Sequence, residues 1–232
     1  QEIIPGVSFR ENEAYCHSIV DQFMVKPDEI PSPYLTGLLD PFLAEGYSPI
    51  IQGMRGCPYS CTMCFASELK IGKFSDDRVL DELDYIYTRT DSSALAVTDD
   101  NFGLYDRDIE IAKRIRSVYD ERGYPNKLLM YYSKNPTQRV YAIAEIMGDL
   151  APFFISYQSR NAETLKVIKR YNLKDENTKK IIHMCREKDI RLSSEMIFGL
   201  PNETKQSFMN GIEQLYDMDL DTIAIYHCKF FN

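Results

Sequence analysis

No run of apolar residues in this 232-residue chain approaches the length of a membrane span, and no charged start followed by an apolar core opens it as a leader would. Excess positive charge is missing too. A net charge of -8 and an isoelectric point near 5.0 speak against a general binder of nucleic acid or acidic membrane, although a local basic groove stays open. There is no disulfide framework either: the six cysteines divide into one tight triplet and the scattered Cys16, Cys185 and Cys228. A cytoplasmic, reducing location is therefore expected, with no membrane span. With 44% hydrophobic and 27% charged residues, the chain can form one well-packed domain. It begins without Met and stops just after an apolar run, so further sequence is expected on both sides.

The triplet lies in Gly56-Cys57-Pro58-Tyr59-Ser60-Cys61-Thr62-Met63-Cys64-Phe65, with three residues between the first pair of cysteines and two between the second. Thiolates are soft donors suited to iron-sulfur clusters, and a short loop can wrap one cluster face. Three cysteines leave one iron of a four-iron cluster unclaimed. The rival is a structural zinc cage completed by Cys228, Cys185 or a His. Such cages usually draw on two separated ligand pairs, and the sequence supplies no second pair.

Prolines 5, 27, 31, 33 and 41 make residues 1–45 a linker that packs on a neighbour, with a short helix expected around Glu11 to Phe23. From residue 46 onward strands alternate with amphipathic helices. Strands are expected at Pro49–Ile51, Ala94–Val97, Lys127–Tyr132, Phe153–Tyr157, Arg191–Phe198 and Thr222–Cys228. The helices between them open at Ser75, run over Arg107–Arg122 up to Gly123, and cover Thr137–Leu150, Ala162–Tyr171, Glu176–Lys188 and Glu203–Met218. This order predicts an α/β fold, a partial (β/α)6 barrel with a mostly parallel six-stranded sheet, because each return crossover must be long and right-handed. Ligands in such sheets gather at the carboxyl ends of the strands.

Those ends are polar. Thr98-Asp99-Asp100-Asn101-Phe102-Gly103 can hold an ammonium group or a divalent metal, or simply turn the chain and cap the next helix. Ser133-Lys134-Asn135-Pro136 and Gln158-Ser159-Arg160-Asn161 can meet hydroxyls and a carboxylate, with Arg160 the best match to the latter; loop solvation and capping by Asn161 are the plain alternatives. Glu195 alternates with Ser194 and Met196, so its side chain is expected to face the interior, as a ligand contact or an ion-pair partner. Phe198-Gly199-Leu200-Pro201 offers an accessible backbone and apolar walls, or a strand-to-helix turn. His183 and Cys185 sit on an apolar helix face, and the sixteen tyrosines read as packing and barrel lining.

Over roughly residues 46–232 the chain resembles a radical S-adenosylmethionine (SAM) enzyme. The resemblance rests on the cysteine triplet, Asp99-Asp100-Asn101-Phe102, Ser156 to Ser159 and Phe198-Gly199-Leu200-Pro201, in matching order and spacing. It implies a 4Fe-4S cluster on Cys57, Cys61 and Cys64, and SAM chelating the fourth iron through its amino and carboxylate groups. Reductive cleavage of SAM would give a 5'-deoxyadenosyl radical for C-H activation. By the same resemblance Asp99 or Asp100 holds the ammonium, Gln158 and Ser159 the ribose, Arg160 or Ser133 the carboxylate, and the backbone around Met63 and Phe198 to Leu200 the adenine. Met63 stands where an aromatic is usual in the family, and its thioether can still pack on adenine.

Residues 30–37 and Asp40-Pro41-Phe42-Leu43 resemble the junction between a cobalamin-binding domain and the radical core in the cobalamin-dependent subgroup. This implies a parent protein that holds cobalamin in a domain outside this chain and carries out methyl transfer or cyclisation. A cobalamin-independent radical SAM enzyme is the alternative within the family. The expected partners are a small-molecule or peptide substrate and an electron donor such as flavodoxin or ferredoxin.

Overall fold

The computed structural model describes residues 8–11, 14–17, 26–68 and 70–229. Two short strands, β1 (Ser8–Glu11) and β2 (Ala14–His17), pair as an antiparallel hairpin. The helix expected at Glu11 to Phe23 is therefore strand over 14–17, where Phe9 and Cys16 pair across the ladder; residues 18–25 lie outside the described residues. A single turn at Pro27–Glu29 and helix α1 (Asp40–Ala44) carry the proline-rich segment over the domain. That segment is tied down. Asp28 accepts from the Ser75 amide at 3.0 Å, and the Tyr34 hydroxyl both donates to the Ile50 carbonyl and accepts from its amide.

The repeat begins with β3 (Ile50–Ile51), followed by the small antiparallel pair β4 (Met54–Arg55) and β5 (Gly72–Lys73) that brackets the cysteine loop. Then come α2 (Asp76–Tyr87), β6 (Ala94–Val97), α3 (Arg107–Arg122), β7 (Lys127–Leu129) and α4 (Gln138–Met147). The second half runs through β8 (Phe153–Gln158), α5 (Ala162–Val167), α6 (Asp175–Glu187), β9 (Leu192–Phe198), α7 (Lys205–Tyr216) and β10 (Thr222–His227). Local chemistry sets several ends. Gly123 stops α3 in the left-handed region at φ 69°, returning its amide to the Tyr119 carbonyl. Asn161 caps α5 by accepting from the amides of Glu163 and Thr164, and Thr204 and Ser207 form a reciprocal box at the start of α7.

The expected six-stranded sheet is found as two three-stranded parallel sheets, ordered β3-β6-β7 and β10-β9-β8. The third strand stops at Leu129, three residues short of the sequence expectation. Rings fill the seam instead of ladder hydrogen bonds: Tyr132 stacks on Phe153 with centroids 4.8 Å apart, and Tyr131 meets Phe154 at 5.6 Å. Apolar faces of the helices close over the sheets through Val79, Leu83 and Ile86 of α2, Ile111 and Ile115 of α3, and Val140 and Ile143 of α4. Burying each such side chain contributes on the order of 1.5–3 kcal/mol. Among the described residues no helix is long and apolar enough to cross a membrane.

Candidate functional site

The carboxyl ends of both sheets open into one cavity of about 660 Å³. Its floor is prepared at Gly53, just after β3. The Gly53 and Met54 amides donate to Asp99 Oδ1 at 2.6 and 3.1 Å, while the Gly53 carbonyl accepts from the Phe74 amide and from the buried Arg107 guanidinium. Arg107 also bonds the Phe74 carbonyl and meets Asp76 at 3.3 Å and Asp108 at 3.4 Å. A Cβ at Gly53 would lie 2.9 Å from Arg107 Nη2 and 3.0 Å from Asp99 Oδ2, so only glycine fits without displacement. Burial pushes the Asp99 carboxyl up to about 6, against the lowering effect of the two amides and Arg107.

From this anchor the cysteine loop is held on three sides. Asn101 Nδ2 donates to Cys57 Sγ at 3.1 Å, and Asn101 Oδ1 accepts from the Lys134 amide at 3.4 Å. Lys134 Nζ lies 3.9 Å and Arg170 Nη1 3.8 Å from Cys61 Sγ. Thr62 donates its amide to the Ile168 carbonyl at 3.1 Å, docking the loop on the end of α5. Cys57 is half-buried, Cys61 buried and Cys64 exposed, and all three line the cavity. Burial, first, and the neighbouring Arg170 push the Lys134 ammonium down, while Cys61 and Cys57 oppose the shift.

The second sheet supplies the facing wall. A register shift between Ser156 and Gln158 puts Gln158 at φ 65° and turns its amide into the cavity, 3.4 Å from Glu195 Oε2. Ser156 Oγ donates to the same oxygen at 3.2 Å. Glu195 faces the interior, as its alternation with Met196 implies, since Met196 packs on the opposite side against Gly211. Tyr131 and Tyr226 stand beside it, and burial first, then Glu195 and Tyr226, push the Tyr131 phenol up.

Of the residues singled out in the sequence, Cys57, Cys61, Met63, Cys64, Asp99, Asp100, Gln158 and Glu195 line this one cavity. The others lie elsewhere. Ser159 donates to Glu203 Oε1 at 2.8 Å, and Arg160 turns into the helical layer, bonding Gln214 at 3.0 Å and meeting Asp175 at 3.6 Å. Ser133 is buried beneath the third strand end, its amide on the Phe102 carbonyl. Phe198 packs edge-on against Phe208 and His227, Gly199 turns at φ 90° beside Cys228, and Leu200 is buried. Sequence reasoning left Lys134 and Asn101 inside polar sets without a role of their own, and passed over Arg170 because the helix expected to reach Tyr171 ends at Val167. Lys169 at φ 52° then turns the chain and brings Arg170 to Cys61.

The donor set fits an iron-sulfur cluster: three thiols on one short loop face a common cavity, with N-H donors directed at two of the sulfurs. The fourth ligands of the zinc alternative lie apart. Cys185 is fully buried on α6, where burial pushes its thiol up to about 11, and Cys228 follows β10 outside the cavity lining. Among the described residues no group of three or more His, Cys, Asp and Glu is arranged around a single metal ion.

The Radical SAM superfamily profile matches residues 51–215. The chain is 32% identical to the cobalamin-dependent radical SAM methyltransferase TokK of Streptomyces tokunonensis, and 30% identical to the 2-(S-pantetheinyl)-carbapenam-3-carboxylate methyltransferase of Streptantibioticus cattleyicolor. Each alignment covers 92% of this chain and 33% of the relative, so the chain spans about a third of their length. In fold it is similar to the radical S-adenosylmethionine methyltransferase TsrM from Kitasatospora setae, with a TM-score of 0.62 at 19% identity over 81% of this chain and 35% of that one. The coproporphyrinogen III oxidase HemN from Escherichia coli follows, with a TM-score of 0.60 at 15% identity over 88% and 49%.

Proposed function

The chain belongs to the radical SAM superfamily, and from that premise we propose that it is the core of a cobalamin-dependent radical SAM methyltransferase acting on a small molecule. The observation that carries this reading is the cavity shared by Cys57, Cys61 and Cys64 with Asp100, Gln158 and Glu195 at the strand ends. When bound, a 4Fe-4S cluster and SAM supply one-electron reductive cleavage to a 5'-deoxyadenosyl radical, and a corrin carries the methyl group. Residues 46–232 form the core, the two sheets standing as halves of a partial (β/α)6 barrel. Residues 1–45 form the junction to the region that binds cobalamin outside this chain. The two relatives named for methyl transfer favour that outcome over ring closure.

Within the core, the three cysteines hold the cluster. The exposed Asp100 carboxylate is available to the ammonium of SAM, while Asp99, engaged by the Gly53 and Met54 amides, fixes the floor beneath it. Gln158 and Glu195 present an amide and a carboxylate to the ribose hydroxyls, and Met63 and Ile197 offer apolar surface to the adenine. Ser159, Arg160 and Ser133 support the walls from behind. Exposed Leu129 and Tyr226 line the cavity at the sheet ends and would exclude water once substrate is seated. A low-potential donor of the flavodoxin or ferredoxin type would reach the cluster from the exposed Cys64 side.

Anaerobic iron-sulfide reconstitution followed by reductant and SAM tests this reading. The native protein should release 5'-deoxyadenosine, and Cys61→Ala should release none. Absence of product from the native protein, or an unchanged yield from Cys61→Ala, would overturn it.

A further inference from the structure

Two cations converge on one sulfur. Lys134 Nζ and Arg170 Nη1 stand 3.9 and 3.8 Å from Cys61 Sγ, on the buried side of the loop. Arg170 is 8% exposed and is fixed by a bond from Nη2 to the Ser156 carbonyl, and the Lys134 ammonium lies 4.8 Å from the centre of the Tyr59 ring. Among the described residues neither cation pairs with a carboxylate.

Like charges set side by side in a partly desolvated site repel, and the arrangement is favourable only when negative charge lies against both. Resting on the radical SAM reading, that negative charge is a cluster-bound Cys61 thiolate. We propose that Lys134 and Arg170 act through the Cys61 sulfur to raise the reduction potential of the cluster, easing uptake of the electron that starts each turnover. One electron leaves a low-potential flavin or iron-sulfur donor, which is oxidised, and enters the cluster, which is reduced. The added negative charge arrives beside two fixed positive charges, so the reduced state is stabilised more than the oxidised one. The Arg170 position depends on the break after α5, and Lys134 on the Asn101 link at the end of β7, so both half-sheets contribute one cation each.

Potentiometric titration of the anaerobically reconstituted protein, followed by electron paramagnetic resonance with dithionite as reductant, reads the effect directly. At equal iron and sulfide content, Lys134→Met should show about a tenfold lower ratio of reduced to oxidised cluster at a fixed poise, a shift of ~59 mV to more negative potential. Lys134→Arg, which keeps the charge, and Lys113→Met, which removes an exposed cation on α3, should titrate as wild type. Arg170→Met should move in the same direction as Lys134→Met; because Arg170 also holds Ser156, the half-buried Lys134 carries the test if that variant takes up no cluster. An unchanged midpoint in Lys134→Met, or an equal shift in Lys134→Arg, overturns the proposal while leaving the family chemistry intact. A wild-type protein with no reducible four-iron signal overturns the family chemistry itself.

Discussion

The two half-sheets meet the cavity differently. At the end of β6 the polar groups are engaged inside the protein: Asp99 on two backbone amides, Asn101 on Cys57 and the Lys134 amide, and the Phe102 amide on the Tyr131 carbonyl. At the ends of β8 and β9 the contacts are longer. Gln158 and Ser156 reach the same Glu195 oxygen at 3.4 and 3.2 Å, which leaves that carboxylate with accepting capacity toward the cavity. The first wall is thus mainly a frame for the cysteine loop, with Asp100 standing exposed on it, and the second is the proposed receptor side.

The sharpest way to break that contrast is Gly53→Ala. The added methyl would press on Arg107 and Asp99 and disturb buried hydrogen bonds, so unfolding free energy in a denaturant titration should fall by about 3–4 kcal/mol. A variant of wild-type stability would mean that the frame is looser than its contacts imply.

The pH dependence of stability probes the same frame. The Asp99 carboxyl, ordinarily at 3.8, sits at about 6 in the folded protein through burial. The folded state therefore holds this proton more tightly than the unfolded one, so the stability it confers is present below pH ~4 and is lost as pH rises to ~6. The difference in unfolding free energy between wild type and Asp99→Asn should decline over that window by up to about 3 kcal/mol. A flat difference curve would contradict the burial of this group.

On the receptor side Glu195→Gln should leave stability within about 0.5 kcal/mol and weaken SAM binding, measured by calorimetry on the reconstituted protein, by about tenfold. Equal affinity would remove Glu195 from the receptor. Smallest of all is Arg160→Ala, which loses the bond to Gln214 and an ion pair to an exposed Asp175 and should cost about 1 kcal/mol, with SAM affinity unchanged. Weakened SAM binding there would extend the receptor into the helical layer.

Much of this was legible in the chain. Gly123 and the periodicity before it marked α3 to the residue, and Asn161 announced the cap of α5. The cysteine spacing pointed to a cluster-type donor set without any structure, because three ligands within eight residues must share one loop. The other side of that loop was illegible. Asp99 and Asp100 are adjacent and chemically equal, yet one is 2% exposed under the Gly53 amides and the other faces the cavity. Gln158, Ser159 and Arg160 form a uniform polar run, and only the shift in ladder register sends the first into the cavity and the next two toward Glu203 and Gln214.

The sequence by itself determined the alternation of strands and helices, the cysteine donor set and the strand ends where polar chemistry would gather, because periodicity, caps and ligand spacing act over a few residues. Only the tertiary structure decided that the sheet divides at a seam of stacked rings, that Arg160 turns away, and that Arg170 and Lys134 meet at Cys61. Those outcomes depend on contacts between residues as far apart in the chain as Cys61 and Arg170, and on a strand bulge and a left-handed residue whose backbone angles no side-chain pattern announces.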